Sequence, residues 1–221
     1  PKVYEVLQAG ARSDRRPVRM RAMTVLTELR HRPSVALFEG AMSEGQTEVR
    51  IAAAKGIAAV AEPGDEKRIG EFMRKEPDAQ VKLALIDGLA RIGTPETISV
   101  LQFVITAPQV EIKQAAVKAL AATGQPKAAT LLALLKRDPN LDVRFTAWQA
   151  LIRLKGQAAE REFQAAVSWL TPSHVEALAD DKKVALDILE LIARKGSDEQ
   201  RPFALEGLSA RGAEAATRLL G

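Results

Sequence analysis

A dipeptide made of one β-branched residue and one base returns along the chain at a nearly fixed interval. The pairs are Val18-Arg19, Val49-Arg50, Val81-Lys82, Ile112-Lys113 and Val143-Arg144, spaced 31, 32, 31 and 31 residues apart. Each opens a segment of the same form, such as VKLALIDGLARIG over 81–93 and IKQAAVKALAATG over 112–124. A unit of this size cannot bury its own apolar face. Successive units must stack and share one continuous core, so the period constrains the fold more than any other feature of the chain.

Numbered from its Val or Ile, each segment is apolar at positions 1, 5, 9 and 12, as in Val81, Leu85, Leu89 and Ile92. Steps of four, four and three place these residues on one helical stripe. Position 8 is small, with Gly56, Gly88, Ala119 and Ala150, which predicts close approach of a neighbouring helix. Gly93 and Gly124 stand where a left-handed residue ends a helix. A second, shorter helix separates the Val-led ones. Thr94-Pro95-Glu96 and Gln125-Pro126 open two of these, with proline where its missing N–H does no harm, and Pro77, Pro108 and Pro139 close three. No segment has a convincing strand pattern, so the chain is predicted to be all-α.

The string DPNLDVRFTAWQALIRLKG (138–156) resembles the HEAT repeat, in the short variety found in phycobilisome lyases and many prokaryotic proteins. The resemblance runs over residues 1–170 through about five repeats. It implies an α-solenoid, a superhelix of about six to seven stacked antiparallel helix pairs. Residues 1–170 are expected to hold the five regular repeats and residues 171–221 irregular C-terminal repeats of the same solenoid. After Leu170 the next Val-led helix, VALDILELIARKG (184–196), comes 41 residues after Val143, with Ala185 where a base is expected. Either a short extra helix lies near Pro172–Ala179, or 184–195 is the first helix of a pair whose second is 201–212. The second reading is favoured. AEAATRLL (213–220) then begins another repeat and leaves an open end.

The bulk properties fit. Of 221 residues, 47% are apolar and 27% charged, which suits a folded domain, and aromatics at 4% suit close-packed helices more than sheets. Without cysteine, disulfides and thiolate metal sites are excluded, and a reducing, cytoplasmic setting is expected. Apolar runs such as Leu131 to Leu135 fall far short of the roughly 18–20 residues a membrane span needs. No signal peptide is visible, and a chain beginning at Pro1 is expected to be processed or a piece of something longer.

Three features bear on function. The bases at position 2 form a regular row, each with a carboxylate nearby in sequence: Asp14, Glu48, Asp78, Glu111 and Asp142. In HEAT repeats the corresponding residues resemble a ladder between successive turns, so these bases are expected to be structural. Positions 4, 7 and 11 form the face opposite the core stripe. There Lys55, Asp87, Arg91, Lys118, Gln149 and Arg153 recur among small residues such as Ala52, Ala84 and Thr146. In HEAT-like solenoids this face lines the concave side, and its bases suit a protein or peptide with acidic groups. Finally, the positive charge is concentrated at the amino end. Residues 1–32 hold eight basic and three acidic residues, against 24 and 25 in the remainder, and the patch comprises Arg12, Arg15, Arg16, Arg21, Arg30 and Arg32.

Enzymatic signatures are missing. His31 and His174 are the only histidines, so the His-Glu pairs of HEAT-like hydroxylases have no counterpart. Trp148 is expected in the core and Trp169 nearer the surface, with no aromatic cluster around either. No phosphate loop, GxSxG or HExxH occurs. The expected function is a non-enzymatic scaffold binding another protein through the concave face or the basic end, with no catalytic residues, cofactor, metal or membrane span. The alternatives are a nucleic-acid-binding protein, including a DNA-glycosylase-like one, and a bilin-lyase-type subunit.

Overall fold

A computed structural model describes residues 2–181, 184 and 186–212, and their regular secondary structure is helical, with no strand among the described residues. In chain order the helices are α1 (Lys2–Ala11), α2 (Arg16–Glu28), α3 (Val35–Ala41), α4 (Thr47–Val60), α5 (Glu66–Lys75), α6 (Ala79–Ile92) and α7 (Pro95–Val104). They continue with α8 (Val110–Ala122), α9 (Pro126–Leu135), α10 (Leu141–Lys155), α11 (Gln157–Gln164), α12 (Pro172–Asp180), α13 (Leu186–Lys195) and α14 (Arg201–Ala210). The chain divides into two compact units, Pro1–Leu131 and Leu132–Gly221.

In the first unit the even-numbered, Val-led helices α2, α4, α6 and α8 lie side by side in sequence order, and each packs on the odd-numbered helix before it. α5 likewise packs on α7. The result is two layers of helices with the core between them, the architecture of an α-solenoid. The predicted stripe is that core: Val49, Ala53, Val81, Leu85, Leu89, Ala116 and Leu120 are fully buried. Val18, the equivalent of Val49 and Val81 in α2, is 44% exposed, and Leu29, at the C-cap of α2, is 48% exposed.

Small residues at position 8 do what their spacing implies. A Cβ on Gly56 would sit 2.4 Å from the ring of Phe38, and one on Gly88 would sit 3.0 Å from the Ala58 backbone, so α3 and α4 each reach a helix a larger residue would hold off. Helix ends also follow the sequence signals. Asp78 and Asn140 each accept two backbone N–H groups at the starts of α6 and α10, and Thr94 accepts the Thr97 N–H at the start of α7. Gly93 ends α6 at φ 66°. Arg30 holds the corresponding position after α2 at φ 48°, the one non-glycine with positive φ among the described residues.

In the second unit α11 packs on α13, and α12 on α14. Helix α13 is therefore the first of a pair and α14 the second, as favoured from the sequence. The short helix weighed near Pro172–Ala179 also exists, as α12, and it belongs to the regular series. Its Val175 follows Val143 by 32 residues and is fully buried. Glu176 occupies the place of the base there. Ala185 and the helix expected over 213–220 lie outside the described residues.

Candidate partner-binding face

The outer surface of the even layer in the first unit carries four of the six residues expected to meet a partner. Lys55 on α4, Asp87 and Arg91 on α6 and Lys118 on α8 are all exposed. Lys55, Asp87 and Arg91 line one hollow of about 310 Å³ between α4 and α6, floored by Ala58, Ala59 and Leu83. Lys55 also borders a second hollow, of about 390 Å³ between α2 and α4, where Met20, Ile51 and Ala52 are flanked by Glu28 and Glu48. Lys55 is thus the side chain common to both. Of the remaining two, both on α10 in the second unit, Gln149 is half-buried, and Arg153 is exposed with its guanidinium 3.5 Å from Asp181.

Arg91 has a further task. Its Nη1 donates to the carbonyls of Ala58 at 2.9 Å and Ala59 at 3.0 Å, at the last turn of α4. A cation there satisfies carbonyls that the helix leaves unpaired and complements its dipole. Position 4 does not belong to the exposed face throughout. Ala84 and Thr146 are buried, each 7% exposed, and the Thr146 hydroxyl donates to the carbonyl of Asp142. An even-layer helix packs against its neighbours as well as the odd layer, so its buried arc is wider than a single stripe.

The amino-terminal bases differ in exposure. Arg12, Arg15, Arg16, Arg21 and Arg30 are exposed, and Arg16 lies 3.2 Å from Glu48. Arg32 is half-buried and committed elsewhere. It donates to both oxygens of Asp65, at 2.6 and 3.0 Å, and to the carbonyl of Val60 at 3.0 Å. The hydrogen bond to Asp65 raises the Arg32 guanidinium above its ordinary pKa. Burial pushes the Asp65 carboxyl upward, but the bond from Arg32, the Glu62 N–H and the charge of Arg32 together outweigh it and hold the group below the usual carboxylate range.

The three arginines at position 2 share a contact that the expected carboxylate ladder did not include. Arg19 donates to the carbonyl of Ser13, Arg50 to that of Glu44 and Arg144 to that of Asp138, in each case six residues back. Each arginine thus ties down the loop that leads into its own helix. Arg50 adds a two-point contact with Glu76 of the next repeat, at 2.9 and 3.1 Å, and this raises its pKa. Carboxylates near these bases in sequence have other partners: Glu48 meets Arg16, Asp78 caps α6, and Asp142 lies 3.0 Å from His174.

The second unit holds an aromatic cluster, contrary to expectation. Phe163 lies 5.3 Å from Trp148 and 6.4 Å from Trp169, while His174 lies 4.5 Å from Phe145 and 5.9 Å from Trp169, ring centre to ring centre. Arg144 covers Trp169 at 5.1 Å and Lys136 covers Trp148 at 4.7 Å. Trp148 is buried, as its apolar position predicts, and Trp169 is half-buried. The Thr171 N–H donates to His174 Nδ1, so Nε2 carries the proton and donates to Asp142. These rings come from α10, α11, the turn after it and α12, and no periodicity in the sequence announces their meeting. Among the described residues no group of three His, Asp or Glu is arranged to hold a metal ion, and no helix is long and apolar enough to cross a membrane.

Paired helices in two layers, with a regular core stripe and one polar residue set per repeat, define a helical-repeat protein of the α-solenoid class. Within that class, residues 66–152 match the family model for HEAT repeats. Among solved structures the chain is similar to the complex of CpcE and CpcF of phycocyanin lyase from Nostoc sp. PCC7120. The identity is 20% and the TM-score 0.56, over 98% of this chain and 92% of that one. At that identity the likeness is one of fold. An engineered protein is similar at 18% identity and a TM-score of 0.49, over 93% of this chain and 95% of that one. No curated protein matches the chain.

Proposed function

We propose that this protein is a non-catalytic interaction module, working in the cytoplasm, that recognises a segment of another protein bearing acidic groups on the even-layer face of its first unit. The observation that carries the reading is the placement of Lys55. It stands between two adjoining hollows, apolar at their floors, and forms no ion pair among the described residues. Alanines at the floor leave room for a partner element, and a free cation between them steers and seats a carboxylate. Lys118 on α8, also exposed, extends the same face. The CpcE–CpcF structure, a complex of two proteins, is consistent with a helical-repeat fold serving this purpose.

The test is a double charge reversal, Lys55→Glu with Lys118→Glu, in the full chain. Partners recovered from cells with the parent protein are measured against the variant by titration at several salt concentrations. The expected result is unchanged melting, weaker association and a shallower salt dependence. Undiminished binding of every recovered partner would show the face to be merely solvated.

A further inference from the structure

A different surface of the first unit holds an apolar hollow bordered by bases. α5 and α7 pack together in the odd layer, and between them and the start of α8 lies a hollow of about 220 Å³. Met73, Val100, Val104 and Ile112 form its apolar lining, and Phe103, 65% exposed, stands at its edge. Gly70 lets the two helices close up beneath it, since a Cβ there would lie 3.1 Å from Val100. The Phe103 ring adjoins the apolar lining, so the two form one contiguous apolar patch rather than a lone exposed side chain.

The charge around the hollow is of one sign. Its ionisable lining residues are Arg74 and Lys82, no carboxylate lines it, and neither base forms an ion pair among the described residues. The Arg74 guanidinium lies 5.8 Å over the Phe103 ring, which holds it at the rim. The groove one repeat earlier, between α3 and α5, shows the contrast. There Arg50, at the repeat position of Lys82, is bound by Glu76, and Arg68 lies near Glu39 and Glu71. That groove carries Glu39, Glu44, Glu71 and Glu76 beside its bases, while the α5–α7 groove has no carboxylate in its lining.

We propose that the α5–α7 groove docks a segment of a partner protein that inserts one large apolar side chain beside Phe103 and Met73 and sets Asp or Glu carboxylates on Arg74 and Lys82. The volume suits a single side chain, the exposed ring supplies the apolar wall, and the two cations select the neighbouring charge. Two bases around an apolar hollow do not follow a phosphate backbone, whose recognition takes many more cations. This site lies on the odd layer and stands independently of the even-layer reading.

The experiment selects binders from a random displayed-peptide library on the full chain and synthesises the recovered peptides for fluorescence-polarisation titration. The expected peptides carry Leu, Ile, Phe or Trp within two residues of Asp or Glu. Their affinity is expected to fall about tenfold or more on Arg74→Glu and on Phe103→Asp, and to be unchanged on Lys55→Glu. Arg74 and Phe103 are exposed, so both variants are expected to melt like the parent. Independently of any variant, adding peptide to the parent is expected to shift the methyl resonances of Val100, Val104 and Ile112. A library that yields no peptide, peptides lacking an acid, binding that survives Arg74→Glu, or binding lost on Lys55→Glu would each overturn the proposal.

Discussion

Replacing Gly56 by alanine puts a single methyl group where the fold has no space for it. The new Cβ would stand 2.4, 2.5 and 2.6 Å from Cδ1, Cε1 and Cγ of Phe38, whereas carbon atoms in contact sit about 3.5–4.0 Å apart. The whole ring, fully buried, must therefore move by about 1 Å or more, or α3 must back away from α4. Alanine gains about 1 kcal/mol over glycine in helix propensity, and overpacking of this kind costs about 1–3 kcal/mol with the upper end expected for a displaced ring. The net expectation is a loss of about 1–2 kcal/mol, or a fall of several degrees in melting temperature. Gly40, in α3, is the control: a Cβ there meets nothing within 4 Å, so Gly40→Ala is expected to stabilise by up to about 1 kcal/mol. Thermal and urea melts followed by circular dichroism read both variants. Adding Phe38→Leu to Gly56→Ala is expected to recover part of the loss, because the shorter side chain vacates the collision. If Gly56→Ala melts at or above the parent, as Gly40→Ala should, propensity alone governs and the close-approach argument fails.

Four further outcomes follow from particular contacts. Arg144→Ala is expected to cost about 1–3 kcal/mol, by freeing the Asp138 carbonyl and uncovering Trp169, and the tryptophan emission is expected to shift with it. Arg30→Gly is expected to raise stability by about 0.5–1 kcal/mol in the same melts, since it relieves a left-handed backbone that Gly93 adopts without strain. Arg91→Glu is expected to lower the melting temperature by placing a carboxylate against the α4 carbonyls, while Lys118→Glu leaves it unchanged. The Asp65 carboxyl is held below its ordinary pKa in the fold, so its pairing with Arg32 stabilises fully at neutral pH and is lost as pH falls through the carboxylate range below about 4. Urea melts between neutral pH and pH 3 are expected to show a shallower acid decline for Asp65→Asn than for the parent.

The dependence of the fold on its sequence is of two kinds. Helix positions, the buried stripe, the small residues at position 8 and the caps at Asp78, Thr94 and Asn140 were legible because each rests on neighbours within one or two turns, and periodicity records such relations directly. Val175 shows the limit even there. Its period is intact, but a glutamate in place of a base hid it, although the burial of the valine depends on the period and not on the base.

Partnerships were less legible. Acids adjacent in sequence pointed to a carboxylate ladder, yet Arg19, Arg50 and Arg144 reach loop carbonyls six residues back, a distance set by how each loop folds onto its helix. Arg91 has the sequence position of a surface base, yet it caps the α4 carbonyls 32 and 33 positions earlier. The aromatic cluster from Phe145 to His174 and the acid-free groove between α5 and α7 likewise exist only where separate helices meet. The sequence by itself therefore determined the repeat, its two layers and its core, because burial of a regular apolar stripe is decided locally and repeated. Only the tertiary structure decided which charges are spent on the fold and which remain open to a partner, because an ion pair or a capped carbonyl depends on angstrom-scale distances between helices that the chain sets tens of residues apart.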